Sequence, residues 1–235
     1  MAFDPTKQTA ASLLGRLKGK LIVSCQADRG DPMDHAETII RLAAAVLRGG
    51  AEGLRAEGAE RIRAFRALSP APILGMAKTW DAQGEVYITP TFALARDVND
   101  AGADMIALDC TRRRLSEAEP WPEMVKRIQI ELQRPVLGDI ASLEDGIMAE
   151  EAGVDAIATT LYGYTAETAG KRSFNWDLLE ALVARLRIPV FAEGHIEQPE
   201  EVQRALKLGA HAVVVGSAIT RPEKITARFV AATRL

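Results

Sequence analysis

Eight short apolar runs that alternate with segments of helical periodicity predict an α/β fold for this sequence of 235 residues. Continuous apolar strands are typical of a parallel sheet that helices cover on both faces, and eight strand–helix units fit a closed barrel. We therefore predict a single-domain (β/α)8 TIM barrel over residues 1–235, with an extra N-terminal helix. The alternative is an open doubly wound sheet, but no Gly-x-Gly-x-x-Gly loop follows the first run.

The apolar runs are the predicted barrel strands. The segments between them carry apolar residues at i, i+3, i+4 spacing and end on glycine, as helices commonly do. Ser142 precedes one such segment as a capping residue, with Asp145 three positions later. Residues 5–18 are predicted to form the extra helix, which would cover the barrel floor. The runs span residues 20–25, 51–55, 71–78, 103–109, 134–139, 154–160, 188–194 and 210–216.

The runs are of two alternating kinds. Three odd-numbered runs begin with proline next to an apolar residue, at Pro72, Pro135 and Pro189. The even-numbered runs each follow a glycine turn. A βαβα pair therefore repeats along the chain four times, which favours the barrel.

Composition and charge exclude several classes of protein. Hydrophobic residues make up 48% of the chain and charged residues 26%, as in an ordinary globular domain. The net charge of −3 argues against a nucleic-acid partner or an anionic membrane. No apolar run is long enough to span a bilayer, and the N-terminus lacks the apolar region of a signal peptide. We expect a cytoplasmic protein.

Polar groups stand at the C-terminal end of every predicted strand, where barrel enzymes place their chemistry. One such residue is often a structural contact, but eight positions on one rim, with both signs of charge, favour a functional mouth. We expect substrate contacts from Gln26, Arg55, Asp109, Asp139 and Thr160. The groups in strand order are Gln26, Arg55, Lys78, Asp109, Asp139, Thr159 with Thr160, Glu193, and Gly216 with Ser217.

The last two runs predict a phosphate site. In barrels a phosphate commonly lies in the loops after strands 7 and 8, held by backbone N–H groups at the start of a short helix. Gly194 and Gly216 permit close backbone approach, Ser217 begins a helical turn, and Arg221 offers a forked donor. The alternative is that the glycines are turn residues only. We expect a small phosphorylated substrate.

Metal binding is poorly supported, and we predict no metal site. The three histidines, His35, His195 and His211, are far apart and have no closely spaced Cys/His partner. Cys25 and Cys110 are too widely separated to suggest a disulfide framework. Neither has a neighbouring histidine, so small buried hydrophobic residues are the favoured interpretation of both.

Lys78 and Glu193 are the predicted acid/base pair. A lysine that ends an apolar strand, near cationic Arg55 on the rim, should have a lowered pKa and can act as a general base near neutral pH. A Schiff-base lysine is the competing functional interpretation. The structural alternative is a salt bridge from Lys78 to Asp109 or Asp139.

Long segments of the chain resemble the N-acylglucosamine-6-phosphate 2-epimerases, also called N-acetylmannosamine-6-phosphate 2-epimerases, of sialic-acid breakdown. The resemblance runs from residue 21 to about residue 229, nearly the whole chain. The segments are LIVSCQA, PMDHAETIIRLAAAVLRGGAEGLRAEG, VYITPT, ADMIALDCTRRR, GDIASLEDG, ATTLYGYT, FAEGHI and GAHAVVVGSAITRPEKIT.

The resemblance implies inversion at C2 of an N-acylhexosamine 6-phosphate, without a redox or metal cofactor, by a homodimer built around the C-terminal helices. By position, its catalytic groups fall on Lys78 and Glu193. It favours one lysine acting at both stages, which residue spacing alone leaves open. Departures at Thr79-Trp80 and His195 alter the pocket rim. Its substrate-binding residues fall on Gln26, Arg55, Asp139 and Arg221.

Two other functions stay open on the residues alone. One is another phosphosugar isomerase or an aldolase that uses Lys78 to form a Schiff base. The other is a non-catalytic sensor of sugar phosphates on a barrel scaffold, because fold does not fix function. The presence of both Lys78 and Glu193 favours an enzyme over the sensor.

Overall fold

The computed structural model describes residues 9–28, 30–116 and 118–234, and its central feature is a closed parallel barrel. The eight barrel strands are all except β4 and β5, and they follow one another around the barrel in chain order. The predicted fold class is confirmed. The strands are β1 Leu21–Ser24, β2 Gly53–Glu57, β3 Ile73–Met76, β4 Lys78–Trp80, β5 Val86–Ile88, β6 Met105–Asp109, β7 Val136–Asp139, β8 Ala156–Ala158, β9 Val190–Glu193 and β10 Ala212–Val215.

Helices cover the outside of the barrel. Within the described ranges, none is long and apolar enough to cross a membrane. A π-helical turn, Ile128–Leu132, extends α5. The helices are α1 Ala10–Leu17, α2 Ala36–Arg48, α3 Ala59–Leu68, α4 Phe92–Asp100, α5 Trp121–Arg127, α6 Leu143–Ala152, α7 Trp176–Arg185, α8 Pro199–Lys207, α9 Ser217–Thr220 and α10 Pro222–Ala232.

Each predicted apolar run coincides with one barrel strand, although β2 extends to Glu57, two residues beyond the predicted run, and the third run ends differently from the prediction. The barrel strand β3 stops at Met76, and Lys78 begins the antiparallel hairpin β4–β5, with Lys78 opposite Ile88. Asp81 closes the hairpin turn, because its carboxylate accepts from the backbone N–H groups of Gln83 and Glu85. Lys78 therefore lies on a separate two-stranded extension above the barrel mouth.

Alternate residues of each strand divide the core into two layers. On β10, Ala212 and Val214 belong to the apolar cluster inside the barrel, whereas Val213 and Val215 pack outward in the layer beneath the helices. The same period of two places Phe191 inside on β9, and therefore Glu193 as well. Strand periodicity thus directs selected polar side chains into the barrel at its carboxyl end.

Helix α1 covers the barrel floor, as predicted. Leu13 and Leu17 are fully buried in the inner cluster together with Ile22 and Leu74. The imidazole Nε2 of His211, just before β10, lies 2.8 Å from the carbonyl of Leu14. Residues 5–8 of the predicted helix lie outside the described residues.

The predicted cap of α6 is present. The Ser142 hydroxyl accepts from the Asp145 backbone N–H at 3.1 Å, and the Asp145 carboxylate accepts from the Ser142 N–H at 3.1 Å. This reciprocal pair satisfies donors that the first turn of a helix leaves free.

We expect Gly75→Ala to lower the free energy of unfolding by about 1–3 kcal/mol, because it overpacks the layer outside β3. A Cβ at Gly75 would lie 2.6 Å from the Ala103 Cβ and 2.8 Å from a Val98 methyl group. Gly15→Ala in α1 is the control, since nothing lies within 4 Å of its added Cβ. Alanine there should stabilise by about 0.5–1 kcal/mol. Urea unfolding of both variants checks the opposite signs, and equal effects would contradict the expectation.

Candidate active site

A cavity of about 410 Å³ opens at the carboxyl end of the barrel. It lies above the inner apolar cluster and below the hairpin β4–β5 and helix α10, which contribute Lys78 and Lys224 to its wall. Among the predicted site residues, the cavity is lined by Gln26, Arg55, Lys78, Thr160, Glu193, Gly194, Gly216, Ser217 and Arg221.

Arg55 lies at the base of this cavity between two carboxylates. Its Nη1 and Nη2 donate to the two oxygens of Asp139 at 2.9 and 2.6 Å, which is a bidentate pair. Nη1 also donates to Glu193 Oε2 at 2.5 Å. Arg55 and Asp139 are fully buried and Glu193 nearly so. One guanidinium thus joins strands β2, β7 and β9 across the barrel.

Two threonines after β8 hold the carboxylate of Asp139 and the backbone of Glu193. The Thr160 hydroxyl donates to Asp139 Oδ1 at 2.5 Å. The Thr159 hydroxyl donates to the Glu193 carbonyl at 2.7 Å and accepts from the Glu193 N–H at 3.0 Å. Thr160 therefore contributes to the polar cluster, whereas Thr159 holds the backbone of β9.

Glu193 has the ionisation of a neutral-pH acid/base group. Burial raises the pKa of Glu193 to about 7; the Arg55 guanidinium opposes this rise, and the nearby Asp139 carboxylate adds to it. Two carboxylates share one cation here, so one of them retains its proton more readily. A carboxyl group with a pKa near neutrality can both donate and accept a proton.

Lys78 reaches the cavity from the hairpin. Its side chain is partly buried, and its ammonium makes no hydrogen bond or ion pair within the described part of the chain. Burial lowers the pKa of Lys78, and the positive charge of Arg55 lowers it further, while Glu57 and Asp28 oppose the shift. The direction is the one that the sequence predicts.

The alternative salt bridge of Lys78 to Asp109 or Asp139 does not form. The Asp139 carboxylate is held by Arg55, and Asp109 Oδ2 accepts from Arg113 Nη2 at 2.8 Å. Asp109 Oδ1 accepts from the N–H and hydroxyl of Thr111. Asp109 and Asp139 are both fully buried and neither lines the cavity. Asp139 contacts the cavity residues Arg55 and Thr160, whereas Asp109 contacts Arg113 and Thr111, so the structure separates Asp109 from the other predicted substrate contacts.

The wall of the cavity around helices α9 and α10 is rich in cations. Arg221 is nearly buried, and its Nη2 and Nη1 donate to Asp28 and Asp31 at 3.0 and 2.9 Å. Gly194 has a φ of 94°, a conformation that glycine adopts readily. Gly216 and Ser217 begin α9 on the same wall. Gln26 is buried nearby and donates to Ser24 Oγ at 2.5 Å.

Several cavity residues were not predicted from the sequence. Lys224 and Arg228 of α10 follow Arg221 at i+3 and i+7, a helical spacing that would have placed all three on one face. Tyr164 and Arg172 come from the long loop after β8, where no periodicity indicates their direction. Tyr164 stacks on His195 with ring centroids 5.3 Å apart.

The two cysteines lie in the core, not in the cavity. Cys25 and Cys110 are fully buried in the outer layer. Burial raises the pKa of Cys25 to about 12 and raises that of Cys110 well above its usual value. Both are therefore neutral thiols at ordinary pH. Among the described residues, no group of three or more His, Cys, Asp or Glu side chains is arranged to hold a metal ion.

A closed barrel whose mouth forms a cavity lined by a lysine, a glutamate and several arginines has the architecture of a barrel enzyme. The family model for N-acetylmannosamine-6-phosphate epimerase matches residues 39–235, and the chain belongs to this family. The resemblance found in the sequence is confirmed, and the chain is an isomerase of the carbohydrate-epimerase kind.

Similar proteins cover nearly all of the chain. A Cutibacterium acnes protein named as an N-acetylmannosamine-6-phosphate 2-epimerase is 44% identical over 219 residues, 92% of this chain and 95% of its own length. A Clostridium perfringens protein of the same name is 42% identical over 217 residues, 92% of this chain and 98% of its own. The solved C. perfringens epimerase superposes with a TM-score of 0.89 at 40% identity, covering 94% and 96% of the two chains.

Replacing Glu193 by Gln should remove a pH-dependent destabilisation. An unfolded glutamate titrates near pH 4.3, at roughly its model-peptide pKa, whereas Glu193 in the folded chain titrates at about 7. Since the folded state binds the proton more strongly, this group's contribution to stability is present below about pH 4.3 and lost as the pH rises to about 7.

Urea unfolding at intervals between about pH 4.5 and about pH 8 checks this sign. The free energy of unfolding of the wild type should fall with rising pH relative to that of the variant. A difference that does not change over this range would contradict the expectation.

Proposed function

We propose that this protein interconverts N-acetylmannosamine 6-phosphate and N-acetylglucosamine 6-phosphate by removing and returning the C2 proton of the ring-opened sugar. The observation that carries the proposal is one cavity that holds Lys78, whose pKa is lowered, together with Glu193, whose pKa is about 7. The names of the relatives supply the substrate class.

Glu193 opens and closes the sugar ring in this proposal. The C2 proton becomes acidic only when C1 is a carbonyl, so the pyranose ring must open first. A carboxyl group that is part protonated near pH 7 can transfer a proton at the ring oxygen or the C1 hydroxyl in either direction. Its backbone, fixed by Thr159, holds this group in place.

Lys78 then acts as the base at C2. Its lowered pKa gives a larger fraction of neutral amine at physiological pH. Removal of the proton leaves an enolate, and the ammonium that forms returns a proton to the opposite face of C2. We propose that the same lysine serves both steps, because its long side chain has no ionic partner within the described residues.

The other polar groups bind and stabilise the substrate. The Arg55 charge stabilises the oxyanion that develops at C1. Gln26 and Thr160 hold hydroxyl groups or the N-acetyl group, and we extend this role to Tyr164, which lines the same cavity. Asp139, which does not line the cavity, supports the substrate through Arg55 and Thr160. No oxidation state changes in the reaction, so the proposal uses no redox cofactor, and it uses no metal.

The cation-rich wall binds the 6-phosphate. Gly194, Gly216 and Ser217 present backbone there, and Arg221 supplies the forked guanidinium. Lys224 adds a second positive charge within the cavity. Arg221 forms ion pairs with Asp28 and Asp31. A bound phosphate dianion must therefore share the Arg221 guanidinium with these carboxylates or displace them from it.

We further propose that the protein works as a homodimer that buries helix α10. No residue of α10 is buried in the single chain, and Phe229 and Val230 are 73% and 45% exposed. An apolar surface of this kind is typical of an interface between subunits. The cytoplasmic location and the absence of a nucleic-acid partner stay predictions from the sequence.

Lys78→Met should lower the rate of epimerisation by about 10²–10⁴-fold, the usual contribution of a general base. NMR of N-acetylmannosamine 6-phosphate in heavy water measures both formation of the gluco product and deuterium at C2. Lys207→Met, on the exposed face of α8, is the matched control and should behave as the wild type.

Wild-type turnover without deuterium at C2 would contradict the proton-transfer mechanism. Borohydride treatment in the presence of substrate tests the Schiff-base alternative. A covalent adduct at Lys78 would favour that alternative over the proposed base.

Phe229→Glu should convert the dimer to a monomer, because it places a charge in the proposed apolar interface. Ala227→Glu adds the same charge two residues earlier, on another face of α10. Sedimentation velocity should show a monomer for the first variant and a dimer for the second. A monomeric wild type at micromolar concentration would overturn the dimer proposal.

A further inference from the structure

The hairpin β4–β5 carries Lys78 outside the barrel, so something other than the barrel ladder must fix its position. The β3–β6 ladder pairs Leu74 with Met105 and Gly75 with Ile106, and β4 and β5 pair with each other instead of with a barrel strand. A lysine has four rotatable side-chain bonds, so its ammonium is positioned only as well as the backbone beneath it.

We infer that Arg113 and Thr89 are positioning residues that brace this hairpin and hold Lys78 over the cavity. Neither lines the cavity, and neither is assigned a role by the sequence patterns or the relatives. The inference rests on the proposed function of Lys78 as the base.

Arg113 holds strand β5 of the hairpin in place. Its Nη2 donates to the Val86 carbonyl at 2.6 Å, and its Nη1 lies 3.2 Å from Glu85 Oε2. The guanidinium carbon is 4.3 Å from the centre of the Tyr87 ring, which is a cation–π contact. Val86 and Tyr87 pair directly with Trp80 and Thr79, the two residues after Lys78.

Asp109 anchors Arg113 to the barrel. Its fully buried carboxylate accepts from Arg113 Nη2 at 2.8 Å, while Thr111 holds the other oxygen. Asp109 ends strand β6, so the barrel wall and the hairpin are joined through one guanidinium. This contact gives Asp109, predicted from the sequence as a substrate contact, a structural role beside the cavity.

Thr89 fixes the other end of the hairpin. Its N–H donates to the Ala77 carbonyl at 2.6 Å, and its hydroxyl accepts from the Ala77 N–H at 3.2 Å. The same hydroxyl donates to the Ala107 carbonyl of β6 at 2.7 Å. Both backbone groups of the residue before Lys78 are thereby held. Thr89 is fully buried with a φ of 47°, a strained conformation for a β-branched residue.

Loosening the brace should impair the chemical step more than substrate binding. The groups proposed to bind the sugar and phosphate lie on β2, in the segments after β1, β8 and β9, and around α9 and α10, and none of them makes a hydrogen bond to Arg113 or Thr89. A misplaced base lowers kcat, since a shift of about 1 Å can cost on the order of 10²-fold in rate. A hairpin that admits water also reduces the desolvation of Lys78 and raises the pH at which it becomes neutral.

Arg113→Gln is the first test, with Arg112→Gln as the matched control. Arg112 lies in the same turn and is exposed, and its side chain makes no hydrogen bond or ion pair with the described residues. We expect Arg113→Gln to lower kcat about 10–100-fold with KM changed less than about threefold, and Arg112→Gln to leave both unchanged.

The pH profile of kcat/KM distinguishes positioning from a general loss of stability. Its acidic limb, where Lys78 must lose its proton, should move to higher pH in Arg113→Gln and stay in place in Arg112→Gln. Arg55 and Glu57 on β2, Asp28 after β1 and Arg221 before α10 are retained in both variants, and each substitution removes one positive charge. Only Arg113→Gln also releases the Asp109 carboxylate of β6.

Thr89→Ser and Thr89→Ala decide the matter if Arg113→Gln fails to fold. Both remove the methyl group, and only serine keeps the hydroxyl that contacts Ala77 and Ala107. Serine should retain kcat within about threefold of the wild type, whereas alanine should lose about tenfold or more. Equal kcat in the two variants would overturn the brace.

Lys78→Met separates the brace from the function on which it rests. If this variant is inactive while Arg113→Gln matches Arg112→Gln in kcat and pH profile, the brace is wrong and the role of Lys78 stands. If Lys78→Met exchanges C2 deuterium at the wild-type rate, Lys78 is not the base, and the brace fails together with that role.

Discussion

The ion triad of Arg55, Asp139 and Glu193 is the interaction on which the rest of the site depends. Asp139 and Glu193 lie 84 and 138 positions after Arg55 in the sequence. The three side chains meet inside the barrel and are nearly or fully buried. Removing Arg55 would leave two buried carboxylates without their counter-ion, at a cost of about 3–5 kcal/mol. The triad contains two carboxylates and one cation. Its state of lowest free energy at neutral pH therefore keeps a proton on one of the carboxylates. This excess of one carboxylate, together with burial, is why the pKa of Glu193 lies at about 7.

The same logic explains the state of Lys78. Two carboxylates, Asp139 and Asp109, end neighbouring strands of the barrel and were the candidate counter-ions for this lysine. Arg55 takes the first and Arg113 takes the second, each through short hydrogen bonds. Lys78 is left partly buried without an ionic partner in the described chain, and beside the positive charge of Arg55, which lowers its pKa. Two arginines thus occupy the anions that would otherwise pair with Lys78 and raise its pKa.

Sequence patterns predicted the barrel and most of its rim because both follow from local rules. A strand of period two turns alternate residues inward, so the polar residue at the end of each apolar run must reach the mouth. The hairpin was missed because its strands are three residues long and β4 begins at the end of an apolar run. The ion-pair partner of Asp109 was also missed: Arg113 follows it at i+4, but the sequence does not show which arginine of Arg112, Arg113 and Arg114 pairs with it. Tyr164 and Arg172 lie on a loop whose course no periodic pattern determines.

The positions of the two acid/base groups suit the different demands on them. Glu193 ends barrel strand β9, and the Thr159 hydroxyl holds both its backbone N–H and its carbonyl. A group that transfers protons at one fixed oxygen gains from such rigidity. In the proposed mechanism Lys78 reaches two faces of the same carbon, and it has a long side chain on a hairpin outside the barrel ladder. In that mechanism the Lys78 side chain has to move, while the backbone that carries it has to stay in place. The contacts at Ala77 and Val86 restrict the backbone and leave the ammonium itself without a partner among the described residues.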